Sequence, residues 1–186
     1  MGSEMCIRDS LTLEDVPVNQ DSIKEQIMEA LKEATNHFSA SREKEGENLK
    51  TDLLNKLDEM IGYVDFIEER SPIVMKEYRE RLETKVKEIL EDKQMDDARI
   101  ATEVTIFADK ICVDEETVRL KSHIEAMKAA LTGGGTVGRK LDFIAQEMNR
   151  EANTILSKAS DLAISDTGIN LKTDIEKVRE QIQNIE

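Results

Sequence analysis

The sequence predicts an all-α protein, an elongated antiparallel helical bundle with long helical arms, on three observations. Only two prolines, Pro17 and Pro72, interrupt the 186 residues. The rest is dominated by Glu, Lys, Leu, Ile, Ala, Asp and Thr, a mixture that favours helix over strand. Aromatic content is 3% with no Trp, so the core has to be aliphatic, which suits long helices packed on each other better than a sandwich.

Residues 1–19 show no helical period and include Pro17, so they are expected to be a disordered or foreign leader. From Asp21, a candidate N-cap, Ile23, Ile27, Leu31, Ala34 and Phe38 recur at helical spacing. The stretch Arg42–Asn48, with Gly46 inside it, is highly polar and weakens the helix locally before Leu49, Leu53, Leu57, Met60 and Val64 restore the stripe. Ser71-Pro72 is the expected break, because the residue before a proline disfavours helix while proline suits a first helical position. Met75, Tyr78, Leu82, Val86 and Ile89 then mark a return arm, so residues 20–97 are expected to form a long helical hairpin ending in a polar turn over Asp92–Asp97.

Residues 98–186 are expected to form a C-terminal bundle. Ile100, Val104, Phe107, Ala108 and Ile111 give one helix; Asp114 can cap the next, with Val118, Ile124, Met127 and Leu131, and the glycines at 133, 134 and 135 end it. Leu141, Ala145, Met148, Ala152, Ile155 and Ala159 alternate at four and three residues, as do Ile164, Gly168, Leu171, Ile175, Val178, Ile182 and Ile185. The second series runs almost to the terminus, so the chain's end is expected to be docked. Such seams can also face another subunit, which leaves assembly through long helices open.

No apolar run approaches the roughly 20 residues that cross a bilayer, so no membrane partner is expected. Cys6 and Cys112 have no CxxC spacing, which argues against a zinc site or disulfide framework and for a reducing cytoplasm. Cys112 is expected to be a small packing residue. Gly133-Gly134-Gly135 lacks both a preceding strand and a following Gly-Lys-Ser/Thr, so it is a connection and not a phosphate loop. A formal charge of −14 argues against a general polyanion binder, since phosphate affinity comes largely from Lys and Arg. Any RNA site has to be local, or carboxylates have to reach phosphates through divalent cations.

The polar side of 141–159 is rich in amides. Asp142, Gln146, Asn149 and Asn153 project from one side of the helix, although Asn and Asp are poor interior helix formers. A surface kept for specific contacts explains that cost. Residues 138–158 carry four basic and three acidic side chains, a local charge of +1 in a chain at −14.

Gly138-Arg139-Lys140-Leu141-Asp142-Phe143, the run from Gln146 to Thr154 and Ser157-Lys158 resemble the signature of the YicC/YloC endoribonuclease family. Glu176 to Glu186 resembles its terminal sequence and Arg119-Leu120-Lys121-Ser122-His123 its preceding helix. Weaker similarity extends through Glu103, Ala108-Asp109-Lys110 and Arg42 to Gly46. The resemblance implies a cytoplasmic bacterial endoribonuclease that depends on a divalent metal, Mn or Mg, acts on RNA and assembles as a ring-like hexamer. It also implies a further N-terminal domain, so this chain is expected to be the helical fragment of a longer protein. Gly168-Ile169-Asn170 departs from the more apolar stretch expected there, which predicts looser packing of the last helix.

With that resemblance, Glu147 and Glu151, at i and i+4, become candidate catalytic residues sharing a hard cation, with Asp142 completing the metal shell. The plain alternative is a helical face paired with Arg150 and nearby lysines. His123 becomes a candidate for proton exchange with a ribose hydroxyl or leaving oxygen, against a plain polar position on a packed helix. Arg119, Arg139, Lys140, Arg150 and Lys158 are candidate phosphate contacts, and Gln146, Asn149 and Asn153 candidates for reading sugar or base edges. Phe143 is the nearest aromatic for base stacking, with a core position as its ordinary alternative. A noncatalytic module for oligomerisation or RNA binding is the alternative function.

Overall fold

The computed structural model describes residues 19–90, 97–135, 137–183 and 185, and every regular element among them is a helix. The order is α1 (Gln20–Leu90), α2 (Asp97–Ile111), α3 (Asp114–Gly133), α4 (Gly138–Lys158) and α5 (Leu162–Ile182). The expected leader and most of the polar turn at 92–97 lie outside the described residues.

Two compact units divide the chain between Glu45 and Gly46, inside the polar stretch that weakens the apolar stripe. The first contains the start of α1. Asn19, and not Asp21, caps it: the Asn19 side-chain oxygen accepts the Ser22 N–H at 3.3 Å and Asp21 falls in the first turn. Ile23, Ile27, Leu31 and Phe38 on this segment are exposed.

In the second unit four helices contribute seams of alternating four- and three-residue spacing. Leu53, Leu57, Met60, Val64 and Ile67 of α1 meet Leu120, Ile124, Met127 and Leu131 of α3 and the expected seams of α4 and α5 in one core. That period is the mark of helices packed knobs-into-holes at a shallow angle. Ion pairs set the directions. Lys121 reaches Asp65 and Glu68 at 2.7 Å and Lys128 reaches Asp58 at 2.8 Å, so α3 runs antiparallel to α1. Tyr63 donates to Asp174 at 3.4 Å and Arg70 to Asp161 at 2.9 Å, which sets α5 antiparallel to α1 as well. Short loops turn α3 back into α4 and α4 back into α5, and Gly134 and Gly135, at φ of 69° and 88°, supply the left-handed backbone of the first. Val118, expected on the α3 seam, is exposed, and Leu120 takes the core position.

The expected break at Ser71-Pro72 does not form, and α1 continues through Pro72 to Leu90. Proline removes one backbone donor and crowds the preceding turn, a penalty of about 3 kcal/mol in a helix interior. Several contacts hold the helix together there. Ile67 and Val74 are buried on either side, and the Ser71 hydroxyl donates to the Ile67 carbonyl at 2.8 Å. Arg70 spans the proline, donating to both carboxylate oxygens of Glu77 at 2.9 and 3.0 Å while it also holds Asp161. Past the proline, Tyr78 of α1 stacks on Phe107 of α2 with ring centroids 3.7 Å apart.

The last helix is close-packed where looser packing was expected. A Cβ on buried Gly168 would lie 2.7 Å from the Leu156 Cδ2 atom, so the missing side chain lets α5 approach α4. At the other end of that pair a Cβ on Gly138 would lie 2.9 Å from the Ile185 carbonyl oxygen. Backbone cannot swing aside as a side chain can, so Gly138→Ala is expected to destabilise the fold by about 1–3 kcal/mol through overpacking. Urea denaturation checks this; unchanged or higher stability would show that the chain's end is not docked against Gly138.

Candidate nucleic-acid interface on α4

Helix α4 turns Leu141, Ala145, Met148, Ala152 and Ile155 into the core at zero exposure, which fixes its rotation and so the direction of every polar side chain on it. One flank meets α3, the other meets α5, and the outer face is open.

The α3 flank gathers charge. Glu151 is only 5% exposed and lies 3.7 Å from the Arg119 guanidinium. Arg119 also pairs with Glu115 one turn back on its own helix. That antiparallel register sets His123, one turn further along α3, level with Glu147, one turn back along α4. Glu147 stays partly exposed, 3.9 Å from Arg150. At the far end Lys158 donates to Glu116 at 2.7 Å and to the Cys112 carbonyl at 2.9 Å. Glu116, which the sequence did not single out, is 6% exposed, and its second oxygen has no hydrogen-bond partner among the described residues. Its only sequence signal is its place in the acidic first turn of α3.

The outer face and the α5 flank form an open groove of about 410 Å³ lined by Gln146, Asn149, Arg150, Asn153, Thr154, Ser157 and Arg179. Four of these are RNA-contact candidates from the sequence. Asn149 donates to Glu176 of α5 and accepts from Asn153 at 3.4 Å, so the amides are held in a chain. Arg179 was missed because it lies on another helix. It donates to Asp142 at 3.2 Å, and Gln146 donates to the other Asp142 oxygen at 2.7 Å.

That pairing removes Asp142 from the expected metal shell. Nine residues separate it from Glu151, about two and a half helical turns, so the two carboxylates leave α4 on opposite flanks. Among the described residues no group of three His, Cys, Asp or Glu side chains could hold a metal ion. Arg119 and Lys158 are likewise engaged within the α3–α4 flank, whereas Arg139 and Lys140, exposed on the first turn of α4, make no ion pair among the described residues. Phe143 is not in the core: it stands 64% exposed, one turn before Gln146. Cys112 is exposed too and offers its carbonyl, not its thiol, to the structure.

A family profile described as "Endoribonuclease YicC-like, C-terminal" matches residues 67–186, which takes in the end of α1 and all of α2 to α5. The chain belongs to the YicC-like endoribonuclease family. It is 39% identical over 179 residues to a protein of Clostridioides difficile (strain 630) named probable endoribonuclease YicC, a match covering 96% of this chain and 61% of that protein. A Haemophilus influenzae protein of the same name is 38% identical over 168 residues, covering 89% of this chain and 57% of its own length. The chain thus spans about three-fifths of the length of these YicC relatives, and both faces of α4 lie within the matched region. Among the described residues no helix is long and apolar enough to cross a membrane.

Proposed function

We propose that this chain is the RNA-binding and RNA-cleaving helical part of a cytoplasmic endoribonuclease that hydrolyses phosphodiester bonds. The observation that carries the reading is the clustering of Gln146, Asn149, Arg150 and Asn153 in one open groove on a family-matched helix. Relatives named as probable endoribonucleases support RNA as the substrate.

In this reading RNA lies along the outer face of α4, where Arg150 and Arg179 meet phosphates and the amides meet sugar or base edges. Chemistry takes place on the neighbouring α3 flank. His123 exchanges a proton with the ribose hydroxyl or the leaving oxygen, and Arg119 orients the Glu151 carboxylate. The divalent cation of this reading, Mn or Mg, would be held by Glu147 and Glu151 together with phosphate oxygens of the RNA, since Mg²⁺ sites often draw on one or two carboxylates plus substrate phosphates. When bound it would stabilise charge developing on the phosphate.

Salt dependence tests the groove. Arg150→Ala is expected to weaken RNA binding and to reduce the slope of log K against log salt by about 1, as loss of one phosphate contact requires. An unchanged slope would take Arg150 out of the interface.

The exposed apolar stripe Ile23, Ile27, Leu31 and Phe38 favours a second, compatible reading in which the N-terminal unit serves assembly, up to the hexamer implied by the family resemblance. Light scattering of an Ile27→Glu/Leu31→Glu variant separates the two roles. A smaller particle that still binds RNA is the expected result.

A further inference from the structure

Helices α3 and α4 form a hairpin whose connection begins at Gly134 and Gly135, and a buried ion pair closes the opposite end. There Glu116, in the first turn of α3, meets Lys158, the last residue of α4, at 2.7 Å. Lys158 also donates to the Cys112 carbonyl at 2.9 Å, which ties the end of α4 to the chain entering α3. Glu116 is 6% exposed, and one of its two carboxylate oxygens is buried without a hydrogen-bond partner among the described residues. A half-satisfied buried carboxylate is a poor source of stability, and apolar side chains of similar volume in place of such a pair are often neutral or stabilising. Between this pair and the glycine turn lie Arg119, against Glu151, and His123, level with Glu147.

We propose that Glu116 is a positioning residue: through Lys158 it fixes the axial register of α3 on α4 that sets Arg119 opposite Glu151 and His123 opposite Glu147. The inference rests on the catalytic reading of this flank. The apolar seams cannot fix that register alone. Leu120, Ile124, Met127 and Leu131 of α3, and Leu141, Ala145, Met148, Ala152 and Ile155 of α4, repeat at four and three residues, so a slip along the axis sets one apolar side chain against another. The two alanines give a neighbour little shape to lock against. A slip also parts Glu116 from Lys158, and an unpaired charge at a buried position is far costlier than an apolar mismatch. By that asymmetry a single buried polar pair specifies register between helices. Reaction geometry is less tolerant than folding, since a displacement of about 1 Å can lower a rate about 10²-fold. In this account Glu116 does not touch RNA: one oxygen is held by Lys158 and the other is buried.

The test compares the full chain with Glu116→Met/Lys158→Met, which fills both positions without charge, and with Glu116→Gln, which keeps an oxygen acceptor for Lys158. The urea midpoint, the RNA dissociation constant and the cleavage rate at saturating RNA and manganese are read for each. The double methionine variant is expected to be at least as stable as wild type. It is expected to bind RNA within about twofold of wild type and to cleave it about tenfold to hundredfold more slowly. Glu116→Gln is expected to cleave within about threefold of wild type, because the hydrogen bond to Lys158 survives. The chain has two histidines, so a His37→Gln background leaves the His123 ring as a single reporter in NMR spectra. Its signals are expected to move in the double variant and to stay in place with Glu116→Gln. Unmoved ring signals, or wild-type cleavage, in the double variant would overturn the inference. A less stable double variant would reduce the pair to a structural contact and overturn it too. Equal loss of activity in Glu116→Gln would overturn it in favour of a direct role for the charge, and weaker RNA binding at an unchanged rate in favour of a phosphate contact by Lys158. A wild-type chain that cleaves no RNA would overturn the catalytic reading, while the His123 signals would still decide whether Glu116 sets the register.

Discussion

Replacing Glu147 and Glu151 together by glutamine is expected to lower the rate of RNA cleavage by about 10²–10⁴-fold, the range for groups that act at the reacting centre, while the melting temperature changes little. Glutamine keeps the shape and one oxygen acceptor at each position. Glu151 is buried beside Arg119, so alanine there would leave a guanidinium facing a void, and loss of activity could reflect a shifted α3. The amide removes only the negative charge. RNA binding is expected to survive in the variant because the groove contacts come from the other side of α4. Cleavage at the wild-type rate would show that the α3–α4 flank is an ordinary helix pairing, and the catalytic role would have to move elsewhere.

Substituting Asp161 is expected to produce the largest loss of stability from a single polar side chain. Its carboxylate caps α5 by accepting the Ile164 N–H at 3.1 Å and accepts from Arg70 at 2.9 and 3.3 Å. The Arg70 guanidinium, helped by the Ile164 N–H, holds the carboxyl below the usual carboxylate range, and the same pairing raises the pKa of Arg70. Loss of the cap costs about 1 kcal/mol and loss of a charged hydrogen bond about 1.5–3 kcal/mol, so Asp161→Ala is expected to cost about 2–4 kcal/mol in all. Asp161→Asn retains a good cap and isolates the ionic part. The sign with pH follows from the lowered folded-state pKa: the ionic contribution is complete above the unfolded carboxyl pKa, near about 4, and is lost as pH falls through the folded value. Urea titrations between about pH 3 and 7 should show wild type and Asp161→Asn converging at the acid end. A gap that stays constant with pH would mean the asparagine variant is perturbed through geometry and not through charge.

Much of the fold was legible because its core depends on spacing. The four-three alternation from Leu141 to Ile155 and from Ile164 to Ile182 specifies which face of each helix is buried, and those faces form the core. Pro72 was misread because the local rule is right about proline and silent about Arg70, whose partners lie seven and ninety-one residues away. Gly168-Ile169-Asn170 was misread for a related reason: its departure from the more apolar stretch that the resemblance implies suggests loose packing, and nothing local shows that Leu156 of α4 fills the space beside Gly168. The helix periodicity correctly grouped Asp142 with Gln146, Asn149 and Asn153 but gave no way to see that the group turns towards α5, so Asp142 was assigned to a carboxylate set on the opposite flank. Glu116 and Arg179 lie on helices that meet α4 only after folding.

The most direct measurement incubates the purified chain with a radiolabelled RNA that carries both a hairpin and single-stranded flanks, in the presence of manganese, of magnesium, or of chelator. The expected result is metal-dependent cleavage, abolished in the folded Glu147→Gln/Glu151→Gln variant, which still binds the RNA. Binding without cleavage by the wild-type chain under every metal condition would contradict the central claim and leave α3 to α5 as an RNA-binding module whose catalytic groups lie outside this chain.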